Sequence, residues 1–290
     1  MFPVLTLPHR GNFLLGNNLQ DYSIRIALMP SAETPAIILS VRDYGEADRL
    51  VTFLTPGRGR LTGVAKHARK SKKRFAHCLE PLSRVNLFLS DRAKGDLEFL
   101  EKGEAVRSFP SLRRDLTRLG AGALLAELAG EMASPPEASA GVFASLETAL
   151  TLLEQGAPPD SLLPGFLLHI VKLGGYGLSL NCCQACGQEP QPPLVVSLPR
   201  GGVLCGPCGR GAPGPLVSVN LGTWKLLRLA QELPPEKLSR LRFPPAQQCQ
   251  SLNLLRLFIR HHLGRDLKAW IFWDKVVRGN DAVLEQGSRA

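Results

Sequence analysis

Over the first third of the chain, apolar and polar residues alternate in short runs; over the rest, apolar residues recur at helical spacing. The runs "AIILSVRDY", "RLVTFLT", "RLTGVAKH", "LSRVNLFLS" and "LEFLEKGEAVR" read as five strands, separated by turn signals such as "DYGEAD", "PGRG" and "DRAKGD". In "LSRVNLFLS", Val85, Leu87 and Leu89 fall on one side and Arg84 and Asn86 on the other, the period-two pattern of a half-buried strand. After Pro110 the period lengthens. "SLRRDLTRLGAGALLAELAGEM" places Leu112, Leu116, Leu119, Ala123 and Ala126 at helical spacing, with Ser111 as the N-cap and the prolines of "SPPEAS" ending it. "AGVFASLETALTLLEQG" predicts a second helix closed by Gly156. "DSLLPGFLLHIVKLGGYG" predicts a third, broken at Gly174-Gly175, with Pro164 kinking it or lying in its first turn. Helical patterning resumes in "LGTWKLLRLAQEL", "QQCQSLNLLRLFIRHHLG" and "DLKAWIFWDKVV".

Between the two helical stretches lies a Cys-, Gly- and Pro-rich insert, "NCCQACGQEPQPPLVVSLPRGGVLCGPCGRG". Cys183, Cys186, Cys205 and Cys208 give the spacing Cys-x2-Cys-x18-Cys-x2-Cys, which lies in the range of structural zinc sites. Two thiolates two residues apart can both face one ion from a tight turn, and two such turns complete a tetrahedron. All four corners are then filled, so the ion is structural and has no open position for a catalytic water. Cys182 competes for a corner, but Cys183 has the correct offset to Cys186. Gly187 and Gly209 follow the second cysteine of each pair, where a left-handed backbone completes such turns. "LVVSL" and "GGVLC" predict the hairpin of a zinc ribbon, while Cys78 and Cys249 read as ordinary packed cysteines.

The fold class is therefore α+β and multidomain. Residues 34–108 form a small five-stranded barrel, and the OB-fold is the barrel of that kind that binds oligonucleotides. Residues 109–180 and 216–279 form an α-helical domain, and 181–215 an inserted zinc-ribbon-like module. Residues 1–33 read as a poorly patterned leader, with Met29 as an alternative start, and 280–290 as a polar tail. No apolar run is long enough for a spanning helix, and no secretory signal is legible. Seven cysteines are too few and too unevenly placed for a disulfide scaffold, so the expected compartment is a reducing one, the cytoplasm, where paired Cys-x-x-Cys units point to metal.

Charge adds a functional reading. A formal net charge of +10 favours association with polyanions, and much of it sits in "GRGRLTGVAKHARKSKKRFAH", which contains no acid. Arg58, Arg60, Lys66, Arg69, Lys70, Lys72, Lys73 and Arg74 are the candidate contacts to nucleic-acid phosphates, where neutralisation releases counterions. Of the nearby aromatics, Tyr44 and Phe75 are candidates to stack on bases, and Phe53 is better placed in the core. So few aromatics imply binding dominated by electrostatics, with weak sequence selectivity and no preference against duplex. Asp43, Glu46 and Asp48 form a compact acidic turn that could serve a metal-dependent nuclease, but a solvated turn is the favoured reading. With neither a P-loop nor a serine-nucleophile motif in the sequence, no catalytic set is identified.

The segments "RDYGEADRLVTFLTPGRGRLTGVAKHARKSKKRF", "LEPLSRVNLFL", "LRRDLTRLGAGALLAELAGE", "GFLLHIVKLGGYGLSLNCCQACG" and "GGVLCGPC" resemble, in this order, the bacterial recombination-mediator family RecO. The resemblance runs from about Thr34 to Val277. It implies an N-terminal OB-fold, a helical domain and an inserted zinc module. It also implies binding of single- and double-stranded DNA, annealing of complementary strands, and help to RecR in loading RecA onto strands coated by single-strand-binding protein (SSB). The tail of SSB would be a partner, at residues the sequence does not reveal, and the setting would be the nucleoid. The eight cations fall on the family's basic barrel motif and the four cysteines on its metal motif. Not every member keeps four cysteines, so zinc is not essential to annealing in the family. His67 departs from the pattern, standing where members often have glycine. A different class, an RNA-binding or transcription-associated OB/zinc-ribbon factor, is the alternative.

Overall fold

The computed structural model describes residues 32–71, 73–94, 97–133 and 136–276. All but the last two residues of the expected leader, the polar tail and Lys72 lie outside these residues.

Five strands, β1 (Ala32–Tyr44), β2 (Asp48–Thr55), β3 (Gly59–Ala65), β4 (Arg84–Lys94) and β5 (Leu97–Arg107), close a barrel in the order β1-β2-β3-β5-β4. Only β3 and β5 run parallel; β4 pairs with β1 to close the ring. Its interior holds Ile38, Val51, Phe53, Val85, Leu87 and Leu100. The alternation along each strand sends the other face outward, as period two requires. One register shift matters. Ile38 pairs with Phe53 and Ser40 with Thr52, leaving Leu39 as an extra residue in β1. That bulge turns Leu39 out of the barrel and against the helical core. The cross-strand pair Ile37 and Leu54, both fully buried, belongs to the helical core as well.

The helical part contains α1 (Pro110–Arg113), α2 (Leu116–Met132), α3 (Pro136–Glu154) and α4 (Pro159–Leu173). The single helix expected from Ser111 is two. Ser111 lies inside α1 rather than capping it, and the cap of α2 is Asp115, whose carboxylate accepts from the Thr117 and Arg118 amides at 2.8 and 3.2 Å. Glu154, at the far end of α3, accepts from the Ser111 and Leu112 amides and so ends the freedom of α1 to extend backwards. The expected apolar face of α2 is also rotated. Leu116 is 62% exposed and Leu119 and Ala123 are only partly covered, whereas Leu124, Leu125, Leu128 and Ala129 are fully buried. Pro164 lies inside α4, not in its first turn.

The insert carries β6 (Leu194–Ser197) and β7 (Gly202–Cys205), the antiparallel hairpin expected, then the short α5 (Gly206–Gly209). A third strand, β8 (Leu216–Val219), pairs with the other edge of β6, so the module extends past residue 215 into a stretch expected in the helical domain. Helices α6 (Leu221–Glu232), α7 (Pro245–Leu263) and α8 (269–276) complete the fold. Among the described residues, no helix is long and apolar enough to cross a membrane.

Since Leu54 serves the barrel wall and the helical core at once, Leu54→Ala should lower stability by about 2–5 kcal/mol. In urea, barrel and helices should lose structure in one transition; two separated transitions would show that they fold independently.

Candidate nucleic-acid interface and metal centre

Beyond Ala65 the chain leaves β3 through His67, in the left-handed backbone region (φ 55°, ψ 24°), and makes one 3-10 turn over Ala68–Lys70. The Asp48 carboxylate accepts the His67 amide at 2.7 Å, and the Arg69 amide donates to the Ala47 carbonyl at 3.1 Å. The tight turn that glycine would favour is therefore present with histidine in it. Four apolar side chains, Ala68, Phe75, Cys78 and Leu79, drop from this segment into the barrel core and close its end. Burial pushes the Cys78 thiol up to about 11. Gly103 makes room for it: a Cβ there would stand 2.7 Å from the Cys78 sulfur.

With its apolar residues turned inward, the segment presents Lys66, Arg69, Lys70, Lys73 and Arg74 to solvent. Arg74 reaches back to the Lys66 carbonyl at 2.8 Å, which draws the two ends of the run together. Arg69 holds the β1–β2 turn through the Glu46 carbonyl at 3.1 Å and faces Asp43 at 3.6 Å. Beside these cations a hollow of about 490 Å³ is lined by Arg49, Ser71 and His77 as well as Arg69. Arg49 and His77 have no marker in the sequence, because the turn that gathers them depends on buried anchors.

Arg58 and Arg60 are placed elsewhere. They sit at the start of β3, roughly 20 Å along the strand from Ala65. Each faces a carboxylate, Arg58 that of Glu98 and Arg60 that of Glu131 at 2.6 Å. The seven of these cations among the described residues thus form two groups, not one surface. Phe75 is 5% exposed and Phe53 fully buried, so neither is available for stacking; Tyr44 is 55% exposed. On the outer wall the register aligns Ser40, Thr52 and Thr62 in one row, and Arg42, Leu50, Val64 and Phe99 in the next. Lys66 lies 5.6 Å from the centre of the Phe99 ring. Arg42 and Phe99 escape sequence reasoning because strand pairing alone brings them into one row of the wall.

The acidic turn is occupied with holding the fold. Asp43 faces Arg49 and Arg69, and Asp48 accepts the His67 amide. Among the described residues, the group of three or more ligand-type side chains with the reach to share an ion is Cys183, Cys186, Cys205 and Cys208. Their sulfurs all lie within 4.8 Å of one another, and those of Cys186 and Cys205 are 3.9 Å apart. A tetrahedral ion with metal–sulfur bonds of about 2.3 Å sets its sulfurs about 3.8 Å apart, so the donor set fits. Burial opposes ionisation of Cys183, but the amides of Cys186, Cys205 and Ala185 outweigh it and bring the thiol down to about 6. Hydrogen bonds to the Cys186 and Cys183 sulfurs push Cys208 up to about 12. Four thiolates in this space need a cation to coexist. Gly187 has the left-handed backbone expected (φ 73°), but Gly209 does not. Gly209 is needed for space instead, since a Cβ there would meet Val195 at 2.6 Å. Cys182 is exposed and outside the set, and Cys249 is exposed rather than packed.

Two family models match the chain: Recombination protein O N terminal over residues 29–109 and Recombination protein O C terminal over residues 113–271. DNA repair protein RecO of Syntrophus aciditrophicus is 33% identical over 249 residues, 85% of this chain and 96% of that protein. Those of Anaeromyxobacter dehalogenans strain 2CP-1 and Myxococcus xanthus are 34% and 36% identical, each over 86% of this chain and 98% and 99% of their own.

A non-glycine residue in the left-handed region is disfavoured by about 1–2 kcal/mol. His67→Gly should therefore raise the urea midpoint, with a gain of roughly 0.5–1 kcal/mol after the added freedom of the unfolded chain. A loss of stability would mean that the imidazole makes a compensating contact.

Proposed function

The chain belongs to the recombination protein O family, and on that basis we propose that it is a DNA-repair and recombination mediator. It binds single- and double-stranded DNA, anneals complementary strands, and helps RecR load RecA onto SSB-coated DNA, without catalysing a reaction. The observation that carries this reading is the plugged barrel end, where Lys66, Arg69, Lys70, Lys73 and Arg74 are all held outward by buried neighbours. Cations fixed in this way bind phosphates with less ordering cost than a loose tail would. Such contacts are independent of sequence, so the bases stay open to a partner strand, and the protein charge screens the repulsion between the two backbones. Pairing then selects the partner.

Zinc is the ion inferred for the cysteine set, since four thiolates in a closed tetrahedron suit it and leave no position for chemistry. Its role is to staple a module whose own apolar cluster is little more than Leu204, Val195 and Ala212 around the sulfurs. The stapled module packs on the helices through the Ser179–Gly202 bridge and the Trp224 indole, which donates to the Leu180 carbonyl at 2.9 Å. RecR and the SSB tail are the protein partners of this reading.

Replacing Lys70, Lys72, Lys73 and Arg74 together by Ala should flatten the salt dependence of single-strand binding, by on the order of 0.7 log units for each phosphate no longer neutralised. An unchanged slope would remove the segment from the interface. Preference for RNA over DNA of the same sequence would favour the alternative class. For the metal, Cys205→Ser should reduce bound zinc toward zero and expose the insert to protease, because site formation and local folding are coupled. Stoichiometric zinc in that variant would refute the assignment.

A further inference from the structure

Between the outer wall of the barrel and α2 runs a groove of about 480 Å³. Its floor is apolar, built from Leu39, Leu82, Leu119 and Ala123. Two of these owe their position to irregular backbone: Leu39 to the bulge in β1, and Leu82 to a left-handed conformation (φ 66°) locked by the hydrogen bond its amide donates to the Ile38 carbonyl at 2.7 Å. Leu119 and Ala123 are α2 residues whose helical spacing suggests core and which the core covers only in part.

The rim is cationic beyond what its acids neutralise. Arg60 and Arg265 converge on the same oxygen of Glu131, at 2.6 and 3.0 Å. Glu127 faces Arg265 at 3.6 Å but also accepts the Lys268 and Ala269 amides at the start of α8. Arg42 and the Lys268 side chain are exposed and have no acidic partner among the described residues. Four cations therefore share two carboxylates, and an anion lying along the rim would be stabilised.

The groove is continuous with the barrel wall. Ser40, Arg42 and Thr52 line it and also belong to the outward rows that run across to β3. That wall is where barrels of this topology hold oligonucleotides. We propose that the groove is a second strand site, which takes the phosphates of one single strand on Arg42, Arg60 and Lys268 while the Lys66–Arg74 segment holds another. The proposal rests on the DNA-binding reading above. A single strand fits better than a duplex because an apolar floor suits sugar edges and unstacked bases, whereas a duplex offers mainly phosphates. It also gives the division of the described cations a use. Arg42 lies level with Val64, two strands away, so its site is roughly 10 Å from the end of β3. Two strands held at that separation are poised to pair.

The test uses the full chain with two non-complementary oligonucleotides carrying a donor and an acceptor dye, in complexes shown by mass photometry to contain one protein copy. Wild type should give energy transfer between the dyes. Arg42→Glu with Lys268→Glu should keep the affinity for a first strand within about threefold but abolish the transfer, and should slow annealing of complementary strands at least tenfold. Ala123→Phe, which fills the floor without changing charge, should do the same. Undiminished transfer in both variants overturns the proposal, as does loss of first-strand binding, which would merge the groove with the first site. An acidic amphipathic peptide that binds wild type but not the variants, with two-strand binding intact, would make the groove a peptide site and also overturn it. Absence of any DNA binding by wild type would instead sink the reading on which the proposal rests.

Discussion

Ile37 and Leu54, paired across β1 and β2, point out of the barrel and are fully buried in the helical core. Neither half of the molecule can close its apolar surface without the other, and the remaining geometry follows from that shared wall. It fixes α2 against the barrel, where the absent side chain of Gly130 leaves room for Leu39 and Arg60. It also brings Glu131 within reach of Arg60, and so turns that cation at the start of β3 toward the helices. The opposite end of the barrel, sealed by Ala68, Phe75, Cys78 and Leu79, is left uncovered by the helices.

That free end is a second consequence of packing. Ala68, Phe75, Cys78 and Leu79 spend their burial on sealing the barrel, and Arg69, Lys70, Lys73 and Arg74 between them have only the outward direction left. His67 makes the reversal possible at some cost in backbone strain, offset by the charge-assisted bond from its amide to Asp48. An acidic turn that could be imagined as a catalytic site is thus a clamp on the basic segment.

Much of this is legible in the sequence, and the rest is hidden for identifiable reasons. The five strands can be read because alternation and turn residues are local signals, and the four cysteines because their spacing encodes a tetrahedron. Helix starts are misread where a distant group helps decide them: Asp115 caps α2 locally and divides it from α1, while the start of α1 is held by Glu154, some forty residues on. The half-buried stripe of Leu119 and Ala123 shows the same limit, since helical spacing gives a face but not the neighbour it meets. Gly209 has the right position for a left-handed turn and a different reason for being glycine. The basic run reads as one surface because sequence distance hides the length of β3. Arg42 and Phe99 carry no signal at all until register places them on one wall.

A recombination protein O family member of this build should hold strands by their phosphates and leave their bases free to pair. The decisive quantity is the rate at which two complementary oligonucleotides, each coated with SSB, become duplex with and without this protein at several salt concentrations. The expected result is a large acceleration at low salt that fades in step with strand binding as salt rises, with both strands recovered intact. No acceleration, an acceleration indifferent to salt, or cleaved strands would contradict it.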